Sequence, residues 1–222
     1  IRWARYAGPS APARALAGGT GAVVVLPLGE GDTAAMLDSL AHSRPLLNGD
    51  SGFIPRPYSR AMELLELPLT PEAVSFLRAL GVTEAVSALE TGLPVKQTLG
   101  RERILLVPPG PTAHGTPRGS PTTVVWREGR ATVDLGAERE VSGLGFELSE
   151  APWVQEPEAQ ISVDGRTWTA IPARASLAEA TLALYADPRH GRGAVRFAPV
   201  TTRFVRLDVR LPARPGPLEV LP

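Results

Sequence analysis

The sequence predicts an α+β chain of two domains: a small α/β layer domain over residues 1–110, then an antiparallel β-sandwich of jelly-roll type over 111–222. Three observations predict it. A continuous β-branched run followed by capped helical patterns fills the first half. Beyond it, short alternating runs separated by turn signals take over and long helical patterns stop. Between the two lies His114 to Pro121, a polar stretch rich in proline and glycine, which is the composition of a boundary.

In the first half, residues 8–20 read as an irregular lead-in. Gly21 to Leu28 is the buried-strand run. Asp32 or Thr33 then caps a short helix that gathers Met36, Leu37 and Leu40 on one face. After a proline-rich loop, Ser59 caps a second helix that Pro68 ends. Thr70-Pro71-Glu72 is a strong third start, with a capping hydroxyl, proline at the first helical position and an acid at the positive end of the dipole. Gly81 stands where a left-handed cap closes that helix. Val82–Leu89, Leu93–Leu99 and Arg103–Val107 read as strands. This order, with helices between strands, implies a layered α/β unit.

The second half reads as strands at 131–135, 141–148, 159–163, 167–171, 194–197 and 203–209, with Asp164-Gly165 as a hairpin turn. Almost no helix is expected there. Trp168, just after the turn, is expected in the core, and Arg203 and Arg206 are expected to brace loops.

Composition narrows the function. With 43% hydrophobic and 21% charged residues, the chain can bury a core. Its formal net charge is zero, so no global field recruits a nucleic acid. There is no cysteine, which removes thiolate chemistry and disulfides. His42, His114 and His190 lack metal-ligand spacing, and no phosphate loop or nucleophile elbow occurs, so no metal or cofactor is expected. No apolar run reaches the roughly 18–20 residues of a spanning helix. The start at Ile1, without an initiator Met, suggests a piece of a longer protein.

The segment from His42 to Tyr58 has neither helical nor strand period, yet Leu46, Leu47, Phe53, Ile54 and Tyr58 are too apolar for a solvated linker. Within it His42, Arg44, Asn48 and Asp50 offer donors and acceptors, either to a polar sugar or phosphate group or to a partner surface. The alternative is an ordinary packed loop in which Asn48-Gly49 makes a turn.

Together with Val24-Val25-Leu26-Pro27-Leu28 before it and Leu80-Gly81-Val82 after it, this segment resembles the extracytoplasmic domain of bacterial GT-C-type membrane glycosyltransferases, which use lipid-linked sugar donors. Their recurring segment is His-x-Arg-Pro-Leu-x-Asn-Gly-Tyr-Ser-Gly-Phe-x-Pro-Pro. Here Asp50 replaces the aromatic and Arg56 separates the prolines. The resemblance covers about residues 20–90. It implies a membrane-anchored parent with this piece on the periplasmic or extracytoplasmic face, partnered by the parent's membrane domain. It also implies that the catalytic acid lies elsewhere, so this piece is expected to be non-catalytic.

The second half is similar to the coagulation factor 5/8 type C (discoidin) domain, a galactose-binding-like fold. The matching residues are Trp126 with Val133-Asp134-Leu135-Gly136, Ser162-Val163-Asp164-Gly165 with Trp168, and Arg203-Phe204-Val205-Arg206-Leu207. That resemblance implies glycan binding through loops. Trp126 and Trp153, near predicted loops, are the candidates for stacking on a sugar ring. Two roles are therefore expected of the chain: glycan binding near a membrane active site, or a structural module that docks a partner without sugar.

Overall fold

The computed structural model describes residues 8–29, 31–49, 54–114, 120–122, 124–127, 130–147, 157–189, 191–208 and 218–221, with backbone alone at 120–122 and 126–127. Two compact units result, Ile1–Ala113 and His114–Pro222. The architecture is mixed α/β with two sheets, and mostly β.

In the first unit the valine run forms β1 (Ala22–Leu26), with Val23, Val24 and Leu26 buried. It pairs in parallel with β2 (Val82–Ser87). A parallel pair needs a crossover, which α2 (Asp32–His42), α3 (Arg56–Leu64) and α4 (Pro71–Ala79) supply. The antiparallel strands β3 (Val95–Leu99) and β4 (Glu102–Leu106) complete the sheet in the order β1-β2-β4-β3. The expected start of α4 is present: the Thr70 hydroxyl accepts from Ala73 N–H at 3.2 Å, and Gly81 takes φ +71° beyond its end. Phe76 and Leu77 on α4 are fully buried.

Three local expectations are corrected. The lead-in contains a helix, α1 (Ala11–Leu16), capped by Ser10, and its Leu16 packs on Val23, Val86 and Ile104. The helix α3 starts ahead of Ser59, with Pro55 as its cap and Pro57 in its first turn, where proline costs no hydrogen bond. The apolar face of α2 is turned outward: Met36 and Leu37 are 40% exposed and Leu40 77%, while Asp32, Ala35 and His42 are buried. Asp32 is the reason. Gly31 caps the helix, and the Asp32 carboxylate, 1% exposed, accepts from Gly29 N–H, Asn48 and Tyr58. A buried carboxylate must keep such partners. The helix is therefore rotated to satisfy Asp32 rather than to hide its leucines.

In the second unit the runs expected as separate strands fuse. The strand β7 (Arg130–Glu147) takes in both 131–135 and 141–147, and β11 (Arg192–Asp208) takes in both of the last two runs. They pair antiparallel along their length, with register breaks between Arg196 and Val200 and between Thr202 and Phe204. Pro199 lies in the first break, where a residue without an N–H is tolerated.

The flanking strands divide these long partners into halves. Beside one half lie β6 (Val124–Arg127), β8 (Glu158–Ser162) and β9 (Thr169–Ile171). Beside the other lie β5 (Ser120–Thr122), β12 (Leu218–Leu221) and β10 (Arg174–Ala175). One core receives both halves: Ala131 and Val133 come from the start of β7, Val141, Leu144 and Phe146 from its end, and Val205 and Leu207 from β11. This is a sandwich made by bending two long strands.

A helix absent from expectation, α5 (Leu177–Ala186), adds Ala180 and Leu184 to that core. Ser176, capping Glu179 N–H at 3.1 Å, marks its start.

The Asp164-Gly165 connection is longer than a two-residue hairpin, since β8 ends at Ser162 and β9 begins at Thr169. The Asp164 carboxylate organises it. Thr167 and Arg166 N–H donate to it at 2.8 Å each, and the Ser162 hydroxyl at 3.0 Å. These bonds, that from Thr167 first, hold its pKa down to about 2 against an ordinary 3.8. With the folded pKa below the unfolded one, the contribution is present above pH 3.8 and lost as pH falls toward 2. A carboxyl-carbon NMR titration is expected to find Asp164 still ionised at about pH 3. A midpoint at the ordinary value would refute this arrangement of the loop.

Candidate functional site

In the first unit, the loop residues expected to meet a ligand are drawn into the edge of the sheet. Val23 N–H donates to Pro45 C=O at 2.8 Å, and Leu47 N–H to Val23 C=O at 3.0 Å, so the loop pairs with β1 like a short parallel strand. Asn48 continues the pairing with its side chain. Its Oδ1 accepts from Val25 N–H at 2.6 Å, and its Nδ2 donates to Val25 C=O at 2.7 Å and to Asp32 at 2.8 Å. The carboxamide thus stands in for a peptide group and closes an open edge.

Arg44 is 6% exposed. Its Nε donates to Gly21 C=O at 3.0 Å, and its Nη2 to Thr20 C=O at 2.7 Å and Thr83 Oγ1 at 2.8 Å. Its Nη1 pairs with the buried Glu84, which also holds Lys96. The polar groups of Arg44 and Asn48 are therefore engaged inside the fold, and neither is presented to a ligand from solvent. Nor does Asn48-Gly49 act simply as a turn. His42, also buried, accepts Arg44 N–H on Nδ1 at 3.1 Å. Tyr58 donates to Asp32, and burial first, then that hydrogen bond and the carboxylate charge, push the phenol pKa up. Asp50 lies outside the described residues.

In the second unit, Trp153 lies outside the described residues, and Trp126 is described only as a backbone position on β6 opposite Ala131 of β7. Trp168 is not in the core. It is half-buried on the surface, with the Arg206 guanidinium 3.7 Å above its ring, a cation–π stack. Arg203 pairs with Asp134 at 3.0 Å. Both arginines thus engage side chains rather than brace loop carbonyls.

A groove of about 760 Å³ opens where β8 and β9 face β10 and the start of β11. Its floor is apolar, built from Ile171, Ala173 and Phe197, with Phe197 rooted in the core. Its rim is polar, with Glu158, Gln160, Arg174 and Arg196. Arg174 and Arg196 are directly opposite across the β10–β11 pair, an arrangement that like charges disfavour. Glu179 from α5 neutralises Arg196 at 3.1 Å, whereas Arg174 is exposed and has no ion-pair partner among the described residues. Apolar lining with donors and acceptors along its margin is what an oriented polar ligand requires. Alternation alone did not reveal this site, because the Arg174–Arg196 pairing depends on long-range register. Among the described residues no cluster of three metal-ligating side chains occurs.

No family model matches the chain, and no curated protein matches it. Solved structures do. CpGH89CBM32-5 from Clostridium perfringens, in complex with GalNAc-β-1,3-galactose, aligns at 15% identity and TM-score 0.28, over 42% of this chain and 65% of that one. Chitosan-binding module 1 of a chitosanase/glucanase from Paenibacillus sp. IK-5 aligns at 19% identity and TM-score 0.27, over 41% and 65%. CpGH89CBM32-6 from Clostridium perfringens aligns at 18% identity and TM-score 0.26, over 44% and 73%. The chain spans a little under two thirds of the first two.

Proposed function

We propose that the second unit is a non-catalytic, galactose-binding-like glycan module, and that its groove is the binding site. The observation that carries this reading is the apolar floor of Ile171, Ala173 and Phe197 beside Arg174, which has no ion-pair partner among the described residues, with Glu158 and Gln160 nearby. A sugar ring lays its C–H face on the floor. The guanidinium reaches neighbouring hydroxyls through its planar fork, and the carboxylate and carboxamide take the remaining hydroxyl protons. The motifs shared with discoidin domains support the same role. Given the resemblance of residues 20–90 to GT-C-type proteins, the chain is read as the extracytoplasmic portion of a membrane-anchored parent. There it holds acceptor glycan near the membrane active site.

A glycan array probed with the full chain tests the reading. Reproducible binding is expected, weakened about tenfold or more by Arg174→Ala, the size of one charge-assisted hydrogen bond, and about two- to tenfold by Gln160→Ala, whose carboxamide is neutral. Trp126→Ala and Trp153→Ala on the same array measure whether either indole adds a stacking face. A blank array would sink the proposal.

One observation favours a second reading, a docking module that binds no sugar: α2 exposes Met36, Leu37 and Leu40 on one stripe. In that case Leu37→Glu with Leu40→Glu abolishes activity of the full-length parent, whereas Arg174→Ala leaves it unchanged.

A further inference from the structure

The polar side chains that line the groove of the second unit are Glu158, Gln160, Arg174 and Arg196, and they are sorted by charge. Glu158 and Gln160 stand on the β8 lip, Arg174 and Arg196 on the lip formed by β10 and β11. On each lip a like-charged pair sits directly opposite across a ladder: Arg174 faces Arg196, and Glu158 faces Asp208. Each pair has one counter-ion. Arg196 donates to Glu179 through Nε at 3.3 Å and Nη2 at 3.1 Å, and Arg130 donates to Asp208 at 3.3 Å. One charge is left over on each lip, the Arg174 guanidinium and the Glu158 carboxylate. Both are exposed, and neither has an ion-pair partner among the described residues. They line one groove without pairing with each other.

Water satisfies both charges at an exposed lip. A ligand that settles on Ile171, Ala173 and Phe197 displaces that water, and each charge must then find its partner on the ligand. A neutral sugar offers only hydroxyls, weaker partners than a counter-ion. An acidic sugar pairs with Arg174 but brings a second negative charge toward Glu158. A basic sugar pairs with Glu158 and is repelled by Arg174. Only a ligand with both charges, set apart like those of the lips, satisfies the two. The planar fork of Arg174 matches a carboxylate, and Glu158 accepts from an ammonium. At about 760 Å³ the groove lies within the roughly 300–1,000 Å³ of sites for ligands of drug size, which accommodates two sugar rings.

We infer that the groove selects a zwitterionic glycan, one whose adjoining sugars carry a carboxylate and an unacetylated amine. This rests on the glycan reading of the groove and names the class of glycan it takes.

The test is calorimetric titration of the full chain at about pH 6, below the ordinary pKa of an amine. The probes are four forms of one glucuronic acid–glucosamine disaccharide: unmodified, N-acetylated, methyl-esterified, and both. The unmodified form is expected to bind at least tenfold more tightly than either singly charged form, with a preference that shrinks as salt is raised. Glu158→Gln should abolish discrimination between free amine and N-acetyl, and Arg174→Gln discrimination between acid and ester. Both positions are exposed, so the variants should keep the wild-type circular dichroism. The inference is overturned if the neutral or either singly charged form binds as well as the zwitterion, or if both variants weaken all four forms equally. If none of the four binds while the array shows binding to other glycans, the inference falls alone and the glycan reading stands. A blank array removes both.

Discussion

Arg44→Ala is expected to cost the first unit about 3–5 kcal/mol, the usual penalty for removing one partner of a buried ion pair. Glu84, whose side chain is 8% exposed, would be left with Lys96 alone, and Lys96 is 51% exposed. The Gly21 carbonyl would lose its Arg44 donor as well, and the Thr20 carbonyl would keep only the Thr83 hydroxyl. Against a total of about 5–15 kcal/mol for a typical domain, that is enough to unfold much of the population. Hydrogen exchange read by peptide separates the units: protection in β1 and β2 should collapse while that of β7 and β11 holds. Arg44→Lys should recover little, because an ammonium cannot fork between a carboxylate, a hydroxyl and two carbonyls. Arg44→Met combined with Glu84→Leu should recover most of the loss, since an apolar pair carries no desolvation cost. A loss below about 1 kcal/mol for Arg44→Ala would refute this account.

The same pair predicts an acid limb. Burial alone would raise the Glu84 carboxyl pKa, but hydrogen bonds from Lys96 and Arg44, with their charges, outweigh it and bring it below 4.5. The folded pKa is thus below the unfolded one, so this stabilisation is present above pH 4.5 and is lost as pH falls through the folded value. Glu84→Gln should flatten the acid dependence of the first unit and leave that of the second unchanged.

Local rules explain what could be read in advance. Thr70, Pro71 and Gly81 act within a few residues of themselves, and α4 starts and ends where they direct. Ser176 and Glu179 have the same capping logic, yet the strand pattern around them overshadowed the helix they start. The orientation of α2 was not legible because its rotation is set by Asn48 and Tyr58, distant in sequence from Asp32. The run at 136–140 and Pro199 break alternation, and the pairing of β7 with β11 is interrupted at Pro199 and at 135–138, but it resumes on both sides, so each strand continues past its break. The segment from His42 to Tyr58 stood out as irregular yet apolar, with polar groups at His42, Arg44, Asn48 and Asp50, but sequence could not say whether the groups of Arg44 and Asn48 faced solvent or the edge of the sheet.

Gly143→Ala is expected to cost the second unit about 2 kcal/mol or more, near the upper part of the range for overpacking, because the obstruction is backbone. A Cβ at Gly143 would come within 2.4 Å of the Val195 carbonyl oxygen and 3.3 Å of Arg196 Cα. Neither can move without separating β7 from β11, the two strands on which both halves of the sandwich depend. Gly145, two residues along the same strand, provides the control. Its nearest neighbour would be Glu219 Cβ at 3.6 Å, ordinary contact, so Gly145→Ala should be neutral or slightly stabilising. The contrast also reaches function. Gly143 pairs with Arg196, and Arg196 and Phe197 line the groove. Displacing β11 there tilts the floor against the rim, so Gly143→Ala should weaken glycan binding even where the fold survives, and Gly145→Ala should not. Urea unfolding of both variants, with array binding in parallel, measures the two effects. Equal behaviour of the two alanines would mean that the close approach of β7 to β11 at Gly143 does not set the geometry of the groove.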